Sequence, residues 1–233
     1  SKLNCFFRWL ILKGYIKQNP FEGIKYPRVI YGKRKFLPKR SLEKIISAVV
    51  SQSGSNLLKR KRDLAIINVL LYTGVRKGEL LGIKIQDVDL ESKTMHVHWE
   101  TSKSKKDRDV PINKGLAIVL KDYLECRKNY PIKYTTPYLF VSIVRDAAMT
   151  THGLKHLVED IKIKSGVKFH LHRFRHTYAV NLISSGCDLA KTKQLLGHND
   201  VRMTMTYLRS LPTSMMRNDV ENLSLDSMLD YAE

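Results

Sequence analysis

Residues 172–207 read HRFRHTYAVNLISSGCDLAKTKQLLGHNDVRMTMTY. Two histidines and two arginines fall within about one helical turn of this stretch, LLGH follows, and Tyr207 stands nine residues past His198. Phosphate chemistry needs cationic donors around an anionic centre and a nucleophile or base beside it, and one short segment offers both. Its spacing predicts a helix that begins after Phe169, runs through His172 and His176 to Ser185 and stops at Gly186, then a second helix capped by Asp188 and running to Leu196.

Outward from there, composition narrows the partner. In 233 residues, 41 Lys and Arg stand against 22 Asp and Glu, a net charge of +19 that points to a polyanion, nucleic acid first. At 43% hydrophobic content a sizeable core is possible, and no apolar run is long enough to cross a membrane. No signal-peptide order opens the chain, which suggests a cytoplasmic protein. Three scattered cysteines, Cys5, Cys126 and Cys187, lack the spacing of a zinc site or a disulfide framework and read as free thiols, mostly buried.

The chain opens at Ser1 directly in a helical pattern of Leu3, Phe6, Phe7, Leu10 and Ile11, as a piece of a longer protein would. Gly14 and Asn19-Pro20 end it, and an aperiodic basic segment, Tyr26 to Arg40, reads as a linker along a phosphate backbone. A helix is expected from Ser41, and another from Leu57 to Tyr72 with a basic first turn, Lys59 to Arg62, stopped at Thr73-Gly74. VRKGELLGI gives a short helix with Arg76 at the turn before it. Thr94 to Trp99 and RDVPI alternate as strands, and TSKSKKD between them makes a basic hairpin tip carrying Lys103, Lys105 and Lys106. Helices follow from Asn113 to about Lys128 and from Thr151 to about Ser165, and PYLFVSI between them reads equally as strand or buried connection. Tyr123, Tyr138 and Tyr178 fall in apolar patterns and read as core. Beyond Arg217 the chain has five acidic residues and no Lys or Arg, so the tail is −5 and the rest +24. That tail reads as either a short amphipathic docking element or a frayed end.

TGVR at 73–76, HRFRH at 172–176, LLGH at 195–198 and Tyr207, in this order and spacing, resemble the phage-type tyrosine recombinase, or integrase, family, the Xer-type recombinases in particular. Each piece alone is weak; together they are specific, over about 36–211. The resemblance implies a mainly α fold with a small antiparallel β-sheet (α+β). It divides the chain into the end of a helical core-binding domain (1–30), a basic linker (31–40), a catalytic domain (41–212) and an acidic tail (213–233).

The activity it implies is cleavage and rejoining of double-stranded DNA at a specific site through a covalent 3′-phosphotyrosine, by a homo-oligomer of four protomers on two duplexes, with no metal and no cofactor. Carried over by position, Arg76 and Arg175 contact the scissile phosphate, His172 takes or hydrogen-bonds the Tyr207 proton, His198 donates to a phosphate oxygen, and Tyr207 is the nucleophile. Lys103 is the favoured general acid for the leaving 5′ oxygen, with Lys105 and Lys106 as alternatives because loop length varies. Phe174 stands where the family usually has leucine, a change of packing rather than chemistry. His170, His172 and His176 have metal spacing, but Arg173 and Arg175 in the same turn would repel a dication, and no HExxH glutamate is present. His176 reads as an orienting residue. Two rivals remain at this point: a type IB topoisomerase, which would relax plasmids lacking any cognate site, and a non-catalytic DNA-binding protein of the same fold, which would have no need of Tyr207.

Overall fold

The structure, a computed structural model, describes residues 2–24, 36–51, 56–101, 106–208 and 211. The chain divides into two compact units, Ser1–Gly32 and Lys33–Glu233. In the first, helix α1 (Lys2–Leu12) packs Phe7 on Phe21 at 5.3 Å between ring centroids, and the Asn19 side-chain amide donates to Asn4 Oδ1 at 2.6 Å. Leu3, Phe6, Trp9, Leu12 and Tyr15 are exposed.

The second unit is built around α3 (Leu57–Thr73), which packs against α2 (Lys39–Val50), α5 (Lys114–Lys128) and α7 (His172–Ser184). With Leu58, Ala65, Ile66, Ile67, Val69, Leu70 and Leu71 buried it is apolar nearly all round, as a helix enclosed by others must be. Its start is capped by Asn56, whose side chain accepts from Lys59 N, and its end by Gly74 in the left-handed region at φ 61°. The short α4 (Lys77–Gly82) leads into a three-stranded antiparallel sheet, β1 (Val88–Asp89), β2 (Thr94–Val97) and β3 (Arg108–Pro111) in the order β1-β2-β3. The register pairs Val97 with Arg108 and His96 with Asp109. The remaining helices are α6 (Thr151–Ser165), α8 (Leu189–Leu196) and α9 (Val201–Leu208). The architecture is the expected one, mainly helical with one small antiparallel sheet.

Several local expectations change. Helix α2 begins at Lys39 rather than Ser41, after Pro38, whose fixed φ of −62° and missing N–H suit a helix entry. Phe36 to Pro38, within the expected linker, lead directly into α2. Leu37 is buried, its N–H donates to Thr177 Oγ1 at 2.8 Å, and Arg173 Nη2 donates to the Phe36 carbonyl at 3.0 Å, so this piece is fastened to α7. Residues 26–35 of the basic segment, Lys103 and Lys105 on the hairpin tip and the acidic tail lie outside the described residues.

The basic first turn of α3 is not a free cationic face. Arg62 is buried, binding Asp63 Oδ1 and the Val141 carbonyl, while Lys59 pairs with Asp63 and Lys61 with Asp122. PYLFVSI resolves as a buried connection touching the rest through isolated bridges, Lys84 with Tyr138 and Val141 with Ala148. Arg127 holds it by donating to the carbonyls of Thr136, Tyr138 and Leu139. Tyr123 and Tyr178 are buried and Tyr138 half-buried. Against the expectation of mostly buried thiols, Cys5 is exposed and Cys126 and Cys187 are half-buried.

Candidate active site

Arg76 sits where α3 hands over to α4. Gly74 makes the turn, and a Cβ on it would stand 2.4 Å from the Tyr178 ring, so the left-handed φ and the close approach both require glycine. Two residues on, Arg76 is the N-cap of α4, and Glu79 at the third helical position folds back onto it. Glu79 Oε2 accepts from the Arg76 backbone N–H and Oε1 from its Nη1, both at 2.8 Å. A carboxylate in the first turn also opposes the positive end of the helix dipole.

Glu79 is fully buried and serves a second arginine. Arg108, at the start of β3, binds it with both terminal nitrogens, Nη2 to Oε2 at 2.7 Å and Nη1 to Oε1 at 3.2 Å. Burial works to raise the Glu79 carboxyl, but the hydrogen bonds and charge of Arg108, together with Arg76, outweigh it and hold the pKa at about 2. Glu79 stays ionised throughout the neutral range.

The other side of the cluster is the C-terminal end of α8. Leu195 O accepts from Arg108 Nε at 3.1 Å, Leu196 O from Arg175 Nη2, and Gly197 O from Arg76 Nη2 at 3.3 Å. Three successive carbonyls that an α-helix leaves without intrahelical partners thus hold three guanidinium groups, at the end of the helix where the dipole is negative. LLGH is therefore a helix terminus wired to arginines. Gly197 takes φ 63°, and a Cβ there would meet Arg108 Nη1 at 2.9 Å.

Arg175 comes from α7 and is almost wholly buried, its Nη1 donating to the Gly74 carbonyl at 2.7 Å. Burial, followed by repulsion from Arg76, lowers its pKa to about 10, which leaves it charged at neutral pH. Arg76 keeps 22% of its side-chain surface open, against 7% for Arg108, so it is the arginine of the three with most access to solvent. Three guanidinium charges share one buried carboxylate. Such a surplus attracts an anion.

His198 follows directly, buried at 7% exposure, with Nδ1 at 2.9 Å from Thr204 Oγ1. Burial first, and then the charges of Arg175 and Arg76, lower its pKa to about 3, so the ring is neutral at physiological pH. Tyr207 is carried by α9 and is 2% exposed. Its ring stacks on His198 at 5.9 Å and tilts against His176 at 5.0 Å, in a small cluster with Tyr178, Ala179 and Leu196. His172 is exposed on the first turn of α7, one helical turn before Arg175.

Arg76, Arg175, His198 and Tyr207, spread along the sequence from 76 to 207, thus meet in one place. His172 stands on the same helix as Arg175, one turn before it. Lys103 lies outside the described residues, and Lys106 is exposed where the chain re-enters them. Sequence reasoning passed over Glu79, Arg108 and Thr204. The available signal for Glu79 was its capping-box spacing after Arg76; for Arg108 it was its place in RDVP. His176 was read as an orienting residue and packs on the Tyr207 ring.

With a buried arginine cluster beside a tyrosine, on a helical fold with a small antiparallel sheet, the chain belongs to the phage integrase family, whose sequence profile matches residues 35–213. By family and fold it is a tyrosine recombinase. The tyrosine recombinase XerC of Bacillus subtilis (strain 168) is 32% identical over 225 residues, covering 94% of this chain and 70% of that protein. The crystal structure of XerA recombinase superposes with a TM-score of 0.67 at 30% identity, across 85% of this chain and 66% of that one. That of the XerH site-specific recombinase, bound to a palindromic difH substrate in a post-cleavage complex, does so with 0.65 at 25% identity, across 81% and 53%. The chain thus spans between about half and about 70% of the length of these proteins.

Proposed function

We propose that the chain cleaves and rejoins double-stranded DNA at a specific site, through a covalent bond between Tyr207 and a 3′ phosphate. The observation that carries this reading is the convergence of Arg76 and Arg175 on the C-terminal carbonyls of α8, next to His198 and Tyr207. In the proposed reaction the phosphate lies against Arg76 and Arg175, whose planar forks stabilise the extra charge of a pentavalent transition state. His198 is uncharged; in the tautomer whose Nδ1 accepts from the Thr204 hydroxyl, its Nε2–H is available to a phosphate oxygen.

Tyr207 Oη attacks phosphorus while its proton passes to His172, and the 5′ oxygen leaves with a proton from Lys103. Rejoining runs the same steps backwards, with a 5′ hydroxyl displacing Tyr207. The roles of Glu79 and Arg108 are positional: Glu79 fixes Arg76 and neutralises part of the cluster before DNA arrives, and Arg108 holds Glu79 in place. Residues 1–30 read as the end of a core-binding domain, and four protomers on two duplexes as the working assembly. The XerH complex with its difH substrate supports DNA as the partner. Among the described residues no helix is long and apolar enough to cross a membrane, consistent with a protein that meets DNA in the cytoplasm.

A suicide DNA substrate with a nick beside the cleavage position tests the proposal. An SDS-stable protein–DNA adduct is expected with the native chain and none with Tyr207→Phe; undiminished adduct in that variant overturns the assignment. Sequencing the trapped DNA identifies the target site.

A further inference from the structure

The face of the β2–β3 hairpin that points away from Glu79 carries a second constellation. Strand alternation sends Val97 and Arg108, which are register partners, to the side of the core and the arginine cluster, and sends His96 and Asp109 to the other side. One ring nitrogen of His96, one of His98 and a carboxylate oxygen of Asp107 lie within 4.8 Å of one another. The two imidazole rings stand edge to face at 4.6 Å.

Each ring is already oriented by a carboxylate. His96 Nδ1 donates to Asp109 Oδ1 at 2.7 Å, and His98 Nε2 donates to Asp87 Oδ1 at 2.8 Å. Asp87 is itself buried and fixed, its other oxygen accepting from the Lys84 backbone N–H at 2.8 Å. A histidine that gives one N–H to a carboxylate keeps its lone pair on the opposite nitrogen and gains basicity there, the pairing that supports metal-ligating histidines in general. Asp107 Oδ1 accepts from the Trp99 backbone N–H at 2.6 Å, which leaves Oδ2 to point elsewhere.

We propose that His96, His98 and Asp107 form a binding site for a divalent transition metal of the zinc class, with water completing a tetrahedral shell and with Asp109 and Asp87 as the supporting carboxylates. Two imidazoles and one carboxylate suit zinc over magnesium or calcium, which prefer all-oxygen shells. Zinc ligands at about 2.0–2.1 Å stand roughly 3.3 Å apart in a tetrahedron. The three ligand atoms, within 4.8 Å of one another in the structure, must draw closer to reach that spacing, and the Asp107 side chain is exposed. The charge is also suitable. In a chain of net +19, three carboxylates surround these two rings, and Arg108 is turned away onto Glu79. On α7, by contrast, Arg173 and Arg175 share a turn with the histidines and oppose a dication.

The site has a mechanical consequence. His96 and His98 lie on or just after β2, whereas Asp107 begins the return from the tip, directly after residues 102–106. A bound ion ties the two strands together at the root of the segment that carries Lys103, one residue from Arg108.

Calorimetric titration of zinc chloride into the full chain, freed of metal with a chelator and with no DNA present, tests the site independently of recombinase activity. One zinc per chain is expected. His96→Ala and His98→Ala should each weaken binding at least tenfold, and Asp109→Asn about 10- to 100-fold through loss of ring orientation. Because these side chains are partly exposed, circular dichroism should report an unchanged fold; Asp107→Asn, which keeps the shape and removes the charge, gives the same answer should an alanine variant unfold. The i, i+4 pair His152 and His156, whose Nε2 atoms lie 2.9 Å apart on α6, is the built-in control. His152→Ala should leave the hairpin binding event intact. Absence of zinc heat at high micromolar concentration, or heat lost in His152→Ala and kept in His96→Ala, overturns the proposal.

Discussion

Among the described residues, two buried networks join arginine to carboxylate, and one of these two is suited to bind an anion. Around Asp63, Arg62 binds its neighbour's carboxylate and the Val141 carbonyl, and Lys59 reaches the same carboxylate at 3.2 Å. Arg127 nearby is used up by three carbonyls. Around Glu79, three guanidinium groups share one carboxylate and the end of α8, and Arg76 keeps a partly open side chain. Burial of arginine is therefore not the mark of the site. The marks are a surplus of positive charge, a rigid frame that prevents the arginines from relaxing away from one another, and one open member through which an anion can enter.

The first way to break this comparison is to remove an arginine from each network. Arg76→Ala should lower the rate of covalent adduct formation on a suicide substrate about 10²- to 10³-fold, as loss of one preorganised donor does. Its melting temperature should change little, because the partly open Arg76 leaves Glu79 with Arg108. Arg62→Ala should do the opposite. Chemical denaturation should show a loss of about 3 kcal/mol, the lower end of what an orphaned buried charge costs because Lys59 remains, and the folded fraction should cleave at the native rate. Equal stability losses in the two variants, with equal cleavage, would erase the distinction.

Glu79 offers a sharper test because its ionisation can be switched. A carboxyl whose pKa falls from 4.5 in the unfolded chain to about 2 in the fold contributes stability that is fully present above pH 4.5 and is lost as pH falls through about 2. The shift corresponds to about 3 kcal/mol. Glu79→Gln should thus be less stable than the native chain by about that amount at pH 7 in urea titrations, and the two curves should converge as pH approaches 2. His198 acts in the same direction but higher: a buried ring whose pKa is lowered to about 3 resists protonation, so stability also falls from about pH 6.5 downward. A native chain whose stability is flat from pH 6.5 to 2 would contradict both assignments.

How far the sequence reveals this follows from where each interaction lives. Asn113, Asp188 and Gly74 act within a few residues of themselves, and their helices appear where they were expected. The order of Arg76, Arg175, His198 and Tyr207 is a linear pattern, so it could be read without knowing the fold. Glu79 could not, because an acid three residues after an arginine looks the same whether it is a solvated cap or a buried hub; only the packing of Arg108 from β3 makes it the latter. Helix α9 was missed because VRMTMTYL is rich in β-branched residues and is held by the burial of Thr204 and Tyr207 rather than by propensity. Arg62 looked like one charge in a basic run because its partner carbonyl, Val141, is 79 residues away.

The smallest effects come from two helix-ending glycines with almost the same backbone. Gly166 ends α6 at φ 65° and Gly197 ends α8 at φ 63°. Alanine at either position must hold the left-handed region, at a cost of about 1–2 kcal/mol. At Gly166 nothing lies within 4 Å of the added methyl group, so the whole effect is local and should appear in denaturation alone. At Gly197 the methyl group meets Arg108 Nη1 at 2.9 Å and Cζ at 3.1 Å. Arg108 cannot yield without loosening its grip on Glu79 and the Leu195 carbonyl, and Glu79 in turn fixes Arg76. Gly197→Ala should therefore match Gly166→Ala in stability to within about 1 kcal/mol, yet fall several-fold further in adduct formation at saturating DNA. If the two variants differ in neither measurement, the frame around the arginines is more compliant than its hydrogen bonds imply, and preorganisation is not what separates the Glu79 network from the Asp63 one.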